Sequence, residues 1–400
     1  METRKQSSPI RLILASVFVV GAGQTVVFAV VPVVARSVGL TEIQSSLIFA
    51  ASAAMIMLLS PSWGRMCDRI GRLPVVLFGL TSYGVLLAIM ALILRSGQGG
   101  ASPLFVFAAA VTCRGLHGAL TAGVLPAAQA ELGGRAGASD RVGNMATVSI
   151  AFGIGSLLGP GVVGLLMKFG ELASLWFLAA AALVMAIVFY FRGSMSGALR
   201  TVAPAVPALQ LTSELRWLLL VSSVFYGTFF GTLQLLGFTI QDRFHYLPAD
   251  SVVAASYGLV IMALSTLVTQ AAMLRLRSDQ ARSFVVVGLV FGATAYGIAA
   301  NATSFAGAIA ALMLLGSALG LIMPSLAALA SATSRMPGAA LGAISSTQAL
   351  GSLIGPVVAA SLYSVGPSLP YAIDAAALGC CVVVAATRLR GRLVTLQAAE

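Results

Sequence analysis

Twelve stretches of roughly twenty apolar residues, separated by short polar connections, decide what this chain can fold into. They run near 12–35, 45–63, 74–94, 104–128, 145–167 and 172–191, then 217–240, 251–274, 283–300, 306–330, 340–363 and 369–387. A bilayer core about 30 Å thick takes about 20 apolar residues per helix. Inside lipid a helix satisfies its own backbone polar groups, which an isolated strand cannot do. The expectation is an all-α integral membrane protein with twelve transmembrane helices and the lipid bilayer as its first partner. Composition excludes the soluble alternative. With 59% hydrophobic and 9% charged residues and a mean hydropathy of +0.99, there is too little charge to tile a water-facing surface. The first run is too long for the core of a cleaved signal and lacks a cleavage pattern.

The net charge of +11 would suggest nucleic acid until the basic residues are placed on the spans. Eighteen of the 23 fall on the face that holds the N-terminus, among them Arg65, Arg69, Arg72, Arg135, Arg141, Arg216 and Arg282. Four fall on the other face (Arg36, Arg95, Lys168 and Arg243), and Arg114 lies inside a span. By the positive-inside rule both termini are cytoplasmic. The charge is a topology signal, and nucleic-acid binding is not expected.

The connection 192–216, with Gly, Ser, Pro204 and Pro207, is expected to be a cytoplasmic linker between a six-helix half over 1–191 and another over 217–400. Equivalent spans of two such halves should echo each other, and they do. Gly-Ser-Leu-Leu-Gly-Pro at Gly155–Pro160 returns as Gly-Ser-Leu-Ile-Gly-Pro at Gly351–Pro356, 196 residues on. Gly118 and Pro126 align with Gly316 and Pro324 at an offset of 198.

Three stretches carry candidate function. Gly64–Arg72 is a dense charge cluster between two spans, expected as a tight turn in which Asp68 stacks over Gly64 and Arg72. Arg114 lies about 15 Å beyond Pro103, near the bilayer centre. An intramembrane charge costs on the order of 3 kcal/mol and marks a pathway or partner by default. His117 is one turn away on the same face and can titrate near neutral pH. Arg114 aligns with Leu312 in the second half, so the repeat itself does not require a charge there. The fifth span gathers Gly153, Gly155, Gly159, Gly161 and Gly164 around Pro160, which suits close helix approach and a kink.

Gly-x-x-x-Asp-Arg-x-Gly-Arg, carried by Gly64, Asp68, Arg69, Gly71 and Arg72, resembles the signature between spans 2 and 3 of the major facilitator superfamily of secondary transporters. Arg-Gly-Leu-His-Gly resembles that family's span-4 pattern Arg-x-x-Gln-Gly, with His117 in place of Gln. Gly155, Gly159, Pro160 and Gly164 resemble the span-5 motif of its drug–proton antiporters. The resemblance covers essentially the whole chain. It implies alternating access, a latch at Gly64–Arg72 on the cytoplasmic gate, proton coupling through Arg114, and export. It also implies that spans 1, 4, 7 and 10 line a central cavity, where Gln24, Gln241 and Asp242 are candidates. Glu131 is a candidate partner for Arg69 or Arg72. Asp374, at the outer end of span 12, is expected near headgroup depth, and Gln348 is a weaker inward-facing candidate.

One departure matters. Span 1 has no acid, and span 4 has none before Glu131, whereas many proton-driven exporters of this type carry one there. Proton coupling is then left to Arg114, His117, Asp242, Asp374 or a gate carboxylate, and a neutral or anionic substrate fits better than a strongly cationic one. No string Gly-x4-Gly-Lys-[Ser/Thr], His-Glu-x-x-His or Cys-x-x-Cys occurs, so no cofactor, metal or enzymatic activity is expected. The four cysteines, Cys67, Cys113, Cys380 and Cys381, are expected to act as small hydrophobes. The expected function is proton-coupled export of a small molecule across an inner membrane, of the multidrug type. The alternatives are a dedicated exporter of a metabolite such as a siderophore, an importer of a small organic solute, and a membrane sensor that has lost transport. Family habit implies a monomer.

Overall fold

The computed structural model describes residues 2–134, 141–192, 212–273, 281–333 and 337–389. Among them are thirteen α-helices and no strand. In order these are α1 (Glu2–Ser37), α2 (Glu42–Ile70), α3 (Arg72–Gln98), α4 (Pro103–Thr121), α5 (Val124–Gly134), α6 (Arg141–Leu166) and α7 (Ala173–Arg192). There follow α8 (Ser213–Phe244), α9 (Pro248–Met273), α10 (Ala281–Asn301), α11 (Phe305–Thr333), α12 (Pro337–Tyr363) and α13 (Leu369–Leu389). Among the described residues twelve segments are long and apolar enough to cross a membrane, one for each apolar run of the sequence. The chain is a multi-pass membrane protein.

Two elements differ from expectation. The fourth run is not one helix. α4 and α5 together make the span Pro103–Leu132, with a break at Ala122–Gly123. Pro126 has no N–H to bond the Ala122 carbonyl, and Gly123 weakens the helix at the same point. The stretch Gly64–Ile70 is not a turn either. α2 continues through it, with Arg69 in its last turn, where a cation suits the helix dipole. Only Gly71 leaves the helix, at φ +92°, a conformation that L side chains rarely adopt. Its N–H donates to Cys67 O at 3.0 Å, and α3 starts at the next residue.

Two compact units are present, Met1–Val206 with Leu247–Tyr257 and Pro207–Tyr246 with Gly258–Glu400. Most of the expected linker, 193–211, lies outside the described residues. In the first unit α1 packs along α6, α2 along α4, and α3 along α7. In the second α8 packs along α12, and α10 along α11 and α13.

The repeated motifs do the same job in both units. A Cβ added at Gly155 would stand 2.0 Å from Phe18 O of α1, and one at Gly159 would stand 2.3 Å from Ala22 O. Their counterparts on α12 behave alike: a Cβ at Gly355 would stand 2.1 Å from Gly227 O of α8. Gly118 of α4 meets Ser52 O of α2 at 2.2 Å, and Gly316 of α11 meets Met262 O of α9 at 2.1 Å by the same construction. Backbone meets backbone at each site, which is how helices associate where lipid removes the hydrophobic drive.

Pro160 explains one polar detail of that contact. Lacking an N–H, it leaves the Ser156 carbonyl without its helical donor. The Thr25 hydroxyl of α1 donates to that oxygen at 2.9 Å, and the Ser156 hydroxyl donates back to Gly21 O at 3.2 Å. Thr25→Val keeps the shape and removes the donor. It is expected to lower stability by about 1–2 kcal/mol, read as an earlier thermal midpoint in detergent, with Ser37→Ala, outside this contact, near wild type.

Candidate functional site: a buried arginine in the fourth span

The α2–α4 approach at Gly118 fixes α4 against its neighbours, and three residues of α4 face inward next to it. Cys113, Arg114 and His117 are all buried, the last two at 5% exposure each. The Arg114 guanidinium carbon stands 5.5 Å from the Phe49 ring of α2, a cation–π arrangement. Phe28 of α1 stacks on Phe49 with ring centres 4.6 Å apart. Arg114 Nη1 lies 3.4 Å from His117 Nδ1, and the Tyr83 ring of α3 packs on the imidazole at 5.0 Å. Aromatic rings of α1, α2 and α3 are thus gathered around the Arg114–His117 pair of α4.

The cluster is under-satisfied. Arg114 Nε and His117 Nε2 are buried and have no hydrogen-bond partner. Among the described residues no carboxylate bonds or pairs with Arg114, whose electrostatic neighbours are His117, Tyr83 and Cys113. Buried charges are ordinarily paired, so this arrangement is available to an anionic group or to proton exchange. Arg114 and His117 are therefore brought together. Gln24 is half-buried on α1 and makes no hydrogen bond among the described residues.

At the α2–α3 junction the core holds Cys67, Leu73, Val75, Val76, Ala127 and Ala128. Against this base Arg72 Nη1 donates to Ala130 O at 2.8 Å and lies 3.9 Å from Glu131 Oε2. Both sites are near the C-terminus of α5, where a cation is favourable. Arg69 is exposed. The surroundings of Gly64 and Asp68 lie outside the described residues, and so does the expected stacking of Asp68. Of the span-5 motif, Gly155, Gly159 and Pro160 make the α1 contact, whereas a Cβ at Gly164 would meet a single atom, 4.0 Å away.

In the second unit Gln241 is half-buried, and Asp242 accepts the Tyr363 hydroxyl at 2.8 Å. Arg243 donates to Ala299, Ala300 and Ala302 carbonyls at 2.6, 3.0 and 2.5 Å, closing the C-terminus of α10. Gln348 donates to the Tyr226 hydroxyl at 2.6 Å. Sequence reasoning missed Phe28, Phe49 and Tyr83 around Arg114, and fully buried Gln234 in α8. Gln234 had a signal, since it is an amide in the middle of a span. The aromatic residues had none, because nothing in their spacing ties them to Arg114.

A model of the Major Facilitator Superfamily matches residues 13–356. Multidrug resistance protein 2 of Bacillus subtilis is 28% identical over 187 residues, 46% of this chain and 44% of the relative. The Staphyloferrin B transporter of Staphylococcus aureus is 32% identical over 173 residues, 41% of this chain and 38% of the relative. The chain thus spans less than half the length of these two curated relatives. Among solved structures, the human organic anion transporter MFSD10 superimposes with a TM-score of 0.66 at 19% identity, over 95% of this chain and 99% of that one. At that identity the likeness concerns the fold alone. Twelve membrane-length helices among the described residues, and a family match over most of their length, make the chain a member of the Major Facilitator Superfamily.

Proposed function

We propose that this transporter exports a small neutral or anionic molecule across an inner membrane in exchange for protons, by alternating access of two six-helix halves. The observation that carries the reading is Arg114. It is a buried guanidinium with an unpartnered Nε, beside a histidine with an unpartnered Nε2. A cation of this kind disfavours cationic cargo and suits a group that brings negative charge or accepts a proton. Both termini are cytoplasmic in this reading, from the Lys and Arg asymmetry. The Gly64–Arg72 stretch then serves the cytoplasmic gate, with Arg72 held at Ala130 and Glu131 in one access state. His117 and Arg114 take part in coupling, and the protein works as a monomer.

A second reading within export is favoured by one relative. The Staphyloferrin B transporter has a higher identity than the multidrug relative, though over a shorter stretch. A dedicated exporter of one endogenous anionic metabolite fits the same guanidinium.

Inside-out vesicles carrying a proton gradient, reported by a pH-sensitive dye, separate these readings. Ethidium, a lipophilic organic anion and staphyloferrin B are added in turn. Release of the gradient by the anions and not by ethidium is the expected outcome. Release by staphyloferrin B alone selects the dedicated exporter. Silence towards every compound, from folded protein, rejects the broad drug-pump reading.

A further inference from the structure

We infer that Asp374 is a proton-carrying carboxylate of the second unit, about one turn of α13 from Tyr371, which lines a small cleft with residues of α8, α10 and α11. The inference rests on the proton-coupled reading and gives it a site outside the Arg114 cluster. Asp374 lies five residues into α13, about 8 Å along the helix axis, inside the apolar segment Leu369–Ala386. That is more than a full turn inside the helix.

Most acids of the described helices have partners. Glu42 pairs with Arg36, Glu131 lies by Arg72, and Glu214 binds Arg282 at 2.7 Å. Glu171 accepts from Gln98 at 3.0 Å, and Asp242 accepts from Tyr363. Asp250 is exposed in the first turn of α9, where an acid suits the helix dipole. Asp374 has no ion pair and no hydrogen bond among the described residues. A membrane-embedded acid without a partner is a functional site by default.

The groups around it identify the missing partner. α13 packs on α10, α8 and α12. From α13 itself comes Tyr371, three residues before Asp374 on the same helix face, and from α10 comes Tyr296, which lines the same cleft as Tyr371. From α8 come Asp242, bonded to Tyr363 of α12, and Arg243, whose guanidinium is committed to three carbonyls of α10. Tyr296 also accepts from Thr232 at 3.3 Å, and Tyr371 shares a 2.6 Å bond with Thr239. With Asp242, Tyr363, Tyr296 and Tyr371 already bonded, the Asp374 carboxylate leaves too few free oxygens for a metal cation, which needs about six. A proton needs only one. Thr232, Thr239, Tyr296 and Tyr371 also line a cleft of about 30 Å³.

The test is infrared difference spectroscopy of the purified transporter in nanodiscs, between acidic and alkaline buffer, without substrate. Wild type should show the C=O stretch of a protonated carboxylic acid that is lost in Asp374→Asn and displaced in Asp374→Glu. Substrate-triggered gradient release should fall at least tenfold in Asp374→Asn. A carboxylic band unchanged in both variants overturns the inference. So does a spectrum that responds to sodium at fixed pH, which would mark a cation site. If the band behaves as expected while no compound collapses a gradient, the export reading fails and the proton site stands.

Discussion

Gly159→Leu should leave almost no monodisperse transporter after detergent extraction, and Gly355→Leu should do the same through the second unit. In each case the new Cβ meets a carbonyl of the packed helix within 2.3 Å, so two backbones must separate. Overpacking a well-filled contact costs about 1–3 kcal/mol, and more when the obstacle is main chain. Separation would also pull Thr25 away from Ser156 in the first unit and expose a carbonyl to lipid. Gly161 lies two residues away on the same helix, with nothing within 4 Å of its added Cβ. Gly161→Leu should extract normally. Size-exclusion profiles of tagged variants distinguish these cases, and loss at Gly161 with survival at Gly159 would contradict the packing described.

Arg114→Leu should separate stability from transport. Leu is the residue at the aligned position 312 of the second half, where it is buried. Replacing a buried, uncompensated charge by an apolar side chain is often neutral or stabilising by about 1–4 kcal/mol. The thermal midpoint in detergent should therefore hold or rise. Substrate-triggered proton release should fall by about 2–3 kcal/mol of coupling, roughly 30- to 150-fold. Arg114→Lys should rescue little, because an ammonium does not reproduce a planar guanidinium over Phe49. An unfolded Arg114→Leu would make the residue structural, and an active one would remove it from coupling.

The fold was legible because each span has to satisfy lipid on its own. Hydropathy alone therefore located twelve segments. Where neighbouring residues competed locally, the outline blurred. Pro126 and Gly123 split the fourth span, and α2 ran on past its apolar run until Gly71 stopped it. The repeat was visible because Gly155, Gly159, Gly351 and Gly355 meet a facing backbone that tolerates no side chain. Arg114 announced itself by its cost in lipid, and His117 by helical spacing. Tyr83, Phe49 and Phe28 come from three other helices, and only packing brings them to Arg114. Asp374 was visible as an acid five residues into the run 369–387, but which groups of α8, α10 and α12 pack near it depends on tertiary contacts.

The most direct measurement follows protons and substrate together in proteoliposomes containing purified wild type or Arg114→Leu. A pH reporter inside and a labelled anionic substrate outside record both fluxes in the same vesicles. Coupled movement in wild type, lost in a stably folded Arg114→Leu, is the expected result. Equal proton-linked flux in both proteins would contradict a role for the buried guanidinium.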